Sequence, residues 1–426
     1  MNYVERIKEF YAAHPVMDFY TDRAVEREVV GLLNYDESAI QPYKVSSPLE
    51  KEDGTKVASV AEWEQSRRSK IIELFKKELY GEVPPMPDQV EYKEISCKKD
   101  ALNGKAVRKE IDMVFTMKNG KSHTVPVLIY LPAGATGKVP VFLNLNFKGN
   151  HTITNEKDVR MSGLLNDDKS FLSAEQRSCH AERNSIEMVI ARGYACCTAS
   201  YNDFFPDHID GWCDSIYALF GDYENYSRGH EKYSSIGAWA WGMSRLMDYV
   251  EQSEELDSSR VALHGHSRLG KSALWAGALD ERFKIVISNN SGLAGAAMTK
   301  RCFGELYIYL VTAMPHWFVK NTARYIANEE AQVFDQHFLL SLIAPRKLVV
   351  ASAENDIWSD PYGEYLGAYH AGEVYSLYGA DVLKTPLRQA VGTIITSDIS
   401  YHIRPGKHAQ NGIDWLHYLD IADKYL

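Results

Sequence analysis

Between Ala61 and Leu79 the apolar residues Trp63, Ile71, Ile72, Leu74, Phe75 and Leu79 recur at helical spacing, which predicts an amphipathic helix. Gly81 and the Pro84-Pro85 pair end it, since neither residue type continues a helix. Downstream the period changes. Residues 106–117 alternate, and 124–131 and 139–145 are apolar and β-branched, the pattern of strands. A short helix-like run leads into another buried strand from Tyr194. Residues 237–251 predict a helix, and 260–264 a strand that ends in a tight glycine turn. Further strands are predicted at 285–289, at 346–352 and near 391–398, and a terminal helix from Ile413.

Strands alternating with helices predict a mostly parallel sheet covered on both faces. Residues 1–100 read as a helical and looped extension packed on the main domain, and residues 101–426 as the main α/β domain, a single elaborated unit overall. The stretches Asn150 to Glu187 and Phe204 to Ser234 fit poorly as core elements and read as insertions that wall a cleft. The second carries Phe204, Phe205, Trp212, Tyr217, Phe220, Tyr223, Tyr226 and Tyr233. Those rings suit either a stacking wall for a ligand or the insertion's own small core.

Composition narrows the class. The 426 residues are 45% hydrophobic and 24% charged, which excludes disordered, collagen-like and coiled-coil chains. Against 57 acidic side chains stand 47 lysines and arginines, a net charge of −10. No basic footprint for nucleic acid follows from that balance. No apolar run is long enough to span a bilayer. The amino terminus lacks the apolar core of a secretory signal. A cytoplasmic location is therefore expected for the chain as it stands, or a secreted or periplasmic one if a signal has been removed. Cys97, Cys179, Cys196, Cys197, Cys213 and Cys302 form no CxxC pair and show no zinc-ligand spacing. They are expected to be reduced and mostly buried.

Candidate chemistry concentrates at residues 260–279. A short apolar strand runs into Gly265-His266-Ser267-Arg268-Leu269-Gly270, and an Ala/Leu-rich helix follows at once. This is the context of a nucleophile elbow, in which small residues permit a sharp turn that lifts the serine Oγ above the sheet. The following helix N-terminus turns N–H groups toward a developing oxyanion. A serine hydroxyl needs a base, and in this fold class the acid and then the histidine follow the serine along the chain. Asp356, just past a buried-looking strand, and His408, in a glycine-containing loop before the terminal helix, fit those positions. His402 is the main rival for the base. His266 is expected to point away from the nucleophile's face.

The segment Gly265-His266-Ser267-Arg268-Leu269-Gly270-Lys271 resembles the G-x-S-R-x-G-K signature of the glucuronoyl esterases, carbohydrate esterase family 15, particularly its bacterial branch. The resemblance extends to the segment from Trp63 to Glu82 and to Asn146-Phe147-Lys148-Gly149-Asn150-His151. It continues through Ser288-Asn289-Asn290-Ser291-Gly292, Phe303-Gly304-Glu305, Pro315-His316-Trp317-Phe318 and Asp335-Gln336-His337. Ile343-Ala344-Pro345-Arg346, the Asp356 to Pro361 segment and the region around His408 complete it. It covers most of residues 60–426. It implies an α/β-hydrolase fold and hydrolysis of an ester of a glucuronic acid carboxyl group, as in bonds between xylan's 4-O-methylglucuronate and lignin alcohols. The matching positions make Ser267 the nucleophile and His408 the base. Arg268 would help stabilise the oxyanion, and Lys271, Glu305 and Trp358 would contact the sugar. The partner implied is a glucuronoxylan-derived uronate ester. No metal or organic cofactor is implied, and a monomer is expected.

One position departs from the family. Members often carry glutamate in the stretch where this chain has Asn290. Asparagine can orient an imidazole but cannot stabilise an imidazolium by charge, so Asp356 is the expected acid. Two other readings of the same residues are a carbohydrate deacetylase acting on acetylated xylan and a non-catalytic carbohydrate-binding relic.

Overall fold

The computed structural model describes residues 3–13, 23–162, 176–223 and 229–426. These form one ten-stranded sheet: β1 (Gln89–Asp100), β2 (Ala106–Thr116), β3 (Ser122–Pro132), β4 (Val139–Asn146), β5 (Ala195–Ser200), β6 (Leu256–His266), β7 (Ile285–Asn289), β8 (Lys347–Ala353), β9 (Ile394–Ile395) and β10 (Ile399–Arg404). Their spatial order is β1-β2-β3-β5-β4-β6-β7-β8-β10-β9. The run from β5 to β10 is parallel, and antiparallel pairs close both ends. The strand at 89–100 lies within the stretch expected as a helical and looped approach. It pairs with β2 as the sheet's edge.

Alternation along the parallel strands feeds two apolar layers. Val141, Leu143, Leu263, Val286, Leu348 and Val350 face one layer, with Trp239 and Leu246 of α1 (Ser235–Gln252) and Leu274 of α2 (Arg268–Leu279). α3 (Pro361–Leu377) joins that layer through Tyr375. Phe142, Ala262, Ile287 and Val349 face the other, beneath Trp415 and Tyr418 of α4 (Gly412–Tyr425). α4 begins with Asn411 and Asp414 capping each other's backbone N–H groups, which satisfies donors the first turn leaves open.

Residues 60–80 form the expected helix, capped by Ser59 and widened by π-turns at Trp63–Arg67 and Lys76–Tyr80. It stops at Gly81, where φ is +79° and an added Cβ would lie 2.6 Å from the Lys232 carbonyl oxygen. The last long strand lies at 399–404 rather than near 391–398. Its polar residues Ser400, His402 and Arg404 are all buried, so hydropathy does not mark it. In the aromatic insertion, Phe204, Phe205, Trp212, Tyr217 and Tyr233 are buried. Ring centroids lie 5.0 Å apart for Phe205–Trp212 and 4.6 Å for Tyr217–Tyr233, and all five side chains belong to the main apolar core. Tyr226 lies outside the described residues. All six cysteines are free, but Cys97, Cys179 and Cys213 are exposed and only Cys196 and Cys197, in β5, are buried. The expectation of mostly buried thiols therefore fails, because three of them sit on an edge strand or in loops. Among the described residues no helix is long and apolar enough to cross a membrane.

Candidate active site

The parallel strands β6, β7, β8 and β10 end at one rim, and each is followed by a residue of the site. His266, Asn289, Ala351 and His402 form one row across these strands. Ser267 follows β6 and initiates α2 with φ +58° and ψ −129°, a conformation that costs energy for a residue with a Cβ and persists where its surroundings fix it. Its N–H donates to the Asn289 carbonyl at 2.9 Å, and its own carbonyl accepts from Gly270 N at 2.8 Å. Position 265 requires glycine. A Cβ there would sit 2.0 Å from the Leu269 carbonyl oxygen.

His408, in the loop between β10 and α4, brings Nε2 to 2.9 Å from Ser267 Oγ and Nδ1 to 2.6 Å from Asp356 Oδ2. A carboxylate at Nδ1 selects the tautomer with hydrogen there, which leaves Nε2 able to accept from the serine hydroxyl. Burial pushes the Asp356 carboxyl up, but hydrogen bonds from His408, Ser359 and Asn290 outweigh burial and hold it below the usual aspartate value. Asn290, with φ +47°, places Nδ2 2.6 Å from the same Oδ2. The residue in the place of the family's frequent glutamate thus donates to the carboxylate that faces His408.

The other histidines sort by contact. His402 is buried and bound to Asp414 Oδ1 at 2.9 Å, away from Ser267. His266 does not point away from the site as expected. Its ring packs 4.7 Å from that of His408, and Nδ1 lies 2.6 Å from Asn289 Oδ1. Burial and the neighbouring His408 push it far below the ordinary histidine value, so it is a neutral wall.

Arg268, the first residue of α2, turns its guanidinium to Asp207. Asp207 was not singled out in the sequence. Its buried carboxylate also accepts from the Tyr201 hydroxyl at 2.9 Å, from Trp317 Nε1 at 2.7 Å and from His316 Nε2 at 2.9 Å. Burial pushes this carboxyl up, but Arg268, His316 and Trp317 outweigh that and keep it ionised. The Arg268 guanidinium lies over Trp317 at 4.7 Å.

Lys271, Glu305 and Trp358 form one hydrogen-bonded chain. Trp358 Nε1 donates to Glu305 Oε1 at 2.6 Å, and Lys271 Nζ lies 3.2 Å from Glu305 Oε2 while also donating to the Ser291 carbonyl. Lys271 is only 2% exposed and Glu305 9%; Trp358 is half-buried. Among the described residues, no group of three or more His, Cys, Asp or Glu side chains is placed to hold a metal ion.

A strained serine between a parallel strand and a helix, with a histidine and a carboxylate aligned behind it, places the protein among the α/β-hydrolases. The family model for fungal glucuronyl esterases matches residues 212–379. Carbohydrate esterase MZ0003, from an unknown prokaryotic organism, is 38% identical over 400 residues, 92% of each chain. The solved glucuronoyl esterase from Solibacter usitatus superposes with a TM-score of 0.86 at 38% identity, over 91% of this chain and 99% of that one. A 4-O-methyl-glucuronoyl methylesterase of Thermothelomyces thermophilus is 27% identical over 384 residues, 87% of this chain and 80% of that one. The chain belongs to the glucuronoyl esterases of carbohydrate esterase family 15, and so to the carboxylic ester hydrolases.

Proposed function

We propose that this chain hydrolyses esters of the glucuronic acid carboxyl group, including 4-O-methylglucuronate esters of lignin-type alcohols, through an acyl-enzyme on Ser267. The observation that carries the reading is the His408 ring seated between Ser267 Oγ and the Asp356 carboxylate. Nε2 takes the hydroxyl proton as Oγ attacks the ester carbonyl, while Asp356 holds Nδ1–H and stabilises the imidazolium. The negative charge on the carbonyl oxygen is met by the backbone N–H groups that open α2 and by the Arg268 guanidinium, whose charge is permanent. Collapse of the tetrahedral intermediate expels the alcohol, which takes the proton from His408. Water then repeats the sequence on the acyl-enzyme and releases the free uronate. Lys271, Glu305 and Trp358 supply donors, acceptors and a ring for the sugar's hydroxyls and face.

The test compares benzyl glucuronate with 4-nitrophenyl acetate for wild type and Ser267→Ala. The expected outcome is a strong preference for the uronate ester that vanishes in the variant. Acetate cleavage without uronate cleavage would make the protein a carbohydrate deacetylase. Silence on both would leave a binding relic.

A further inference from the structure

Cations and aromatic rings alternate along one wall of the site. Lys271 Nζ lies 5.9 Å from the Trp317 ring centroid, and the Arg268 guanidinium lies 4.7 Å from the same ring. Arg268 is also 6.0 Å from the Phe147 ring, and beyond Phe147 comes Arg183 at 4.9 Å. Two of the three cations are compensated, Lys271 by Glu305 and Arg268 by Asp207. Arg183 is different. Among the described residues it makes no ion pair with a carboxylate, and its charged neighbour is another guanidinium, that of Arg268. Burial and that neighbour both push Arg183 down from the ordinary arginine value, yet arginine stays charged in proteins. A half-buried cation beside a second cation is unfavourable until an anion joins it.

We infer that Arg183 forms an anion subsite on the leaving-group side of the ester, and that it selects alcohols bearing a carboxylate. The inference rests on the proposed uronate esterase reading, in which Lys271, Glu305 and Trp358 hold the sugar. Arg183 stands at the opposite end of the row, with Arg268, the residue after the nucleophile, between them. The uronate carboxyl is esterified and neutral until it is cleaved, so the anion that Arg183 meets during binding belongs to the alcohol. A guanidinium facing a carboxylate makes a charge-assisted, directional contact.

The experiment measures kcat/KM for benzyl glucuronate and for 4-carboxybenzyl glucuronate at low ionic strength. Wild type is expected to favour the carboxylated ester about tenfold, equivalent to about 1.4 kcal/mol. The ratio should fall toward one in Arg183→Gln, stay clearly above one in Arg183→Lys, and shrink in about 0.5 M salt, where the Debye length is only a few ångströms. A wild-type ratio at or below one, or a ratio that Arg183→Gln leaves intact, overturns the subsite. In either case hydrolysis of the neutral ester by wild type leaves the esterase reading standing. Failure of wild type on both esters overturns both.

Discussion

Asp356 and Asn290 lie side by side behind His408, and only one of them can stabilise an imidazolium by charge. The carboxylate of Asp356 contacts Nδ1 directly, while the Asn290 amide donates to that carboxylate. Asp356→Asn keeps the shape but offers an amide that no longer fixes the tautomer. It is expected to lower kcat about 10³- to 10⁴-fold with little change in KM or in the unfolding midpoint, as steady-state kinetics and urea titration will read. A loss below tenfold would mean that another group supplies the charge. Ser267 and Asp356 were legible in the sequence because each follows a recognisable strand, and His408 because it lies in a loop just before the terminal helix, in the chain order that the fold class fixes. Asp207 was not. Its meaning arises only where Tyr201, Arg268, His316 and Trp317 converge on it, and no local spacing encodes a meeting of three distant segments. Arg183 was missed for a similar reason, since an arginine in a four-residue helix reads as a solvated charge.

At the level of elements, the site depends on how α3 is pinned to the sheet. Glu364, in its first turns, is fully buried. Oε1 accepts from the backbone N–H groups of Ser291 and Gly292 at 2.6 and 3.0 Å, and Oε2 accepts from Ser352 Oγ at 2.7 Å. The loop it holds carries Asn290 and the carbonyl that receives Lys271. Burial raises this carboxyl from the ordinary 4.5 to about 8, with the Asp356 charge adding to the rise against the hydrogen bonds. The folded protein therefore keeps a proton there that the unfolded chain releases near 4.5. Between those values the unfolded state binds fewer protons at this site, so the stability this group contributes falls as pH rises, by about 1.4 kcal/mol per pH unit, and flattens above about 8. Urea unfolding of wild type and Glu364→Gln across this range is expected to show slopes that differ by about that amount, with wild type losing stability relative to the variant as pH rises. Equal slopes would place the proton elsewhere. The strands from β2 to β8 were as legible as the helix at 60–80, whereas α3 and β10 were not. The run at 60–80 keeps its apolar stripe, whereas β10 is written in serine, histidine and arginine and looks polar until its partners are known.

Those partners tie the whole molecule to the chemistry. Arg404 ends β10 and is 2% exposed. Its Nε donates to Asp414 Oδ2 at 2.8 Å, and Asp414 is also bound to His402 on β10 and to Asn289 on β7. The other guanidinium nitrogens donate to the carbonyls of Pro405, Lys407 and Ala409. A single side chain thus joins the central sheet and the first turn of α4 to the loop that carries His408. The planar fork matters because one face must serve a carboxylate while the other gathers carbonyls around a turn, which an ammonium cannot do at once. Arg404→Lys retains a positive charge for Asp414 but releases the loop. His408 then samples positions about 1 Å from its place between Ser267 and Asp356, and such a displacement costs about 10²-fold in rate. The expected result is a kcat reduced by about that factor with KM nearly unchanged, because the sugar-side residues stand on other segments. A parallel thermal scan separates this from global loosening. If KM rises with the fall in kcat and the melting temperature drops together with both, Arg404 supports the fold as a whole rather than the placing of His408.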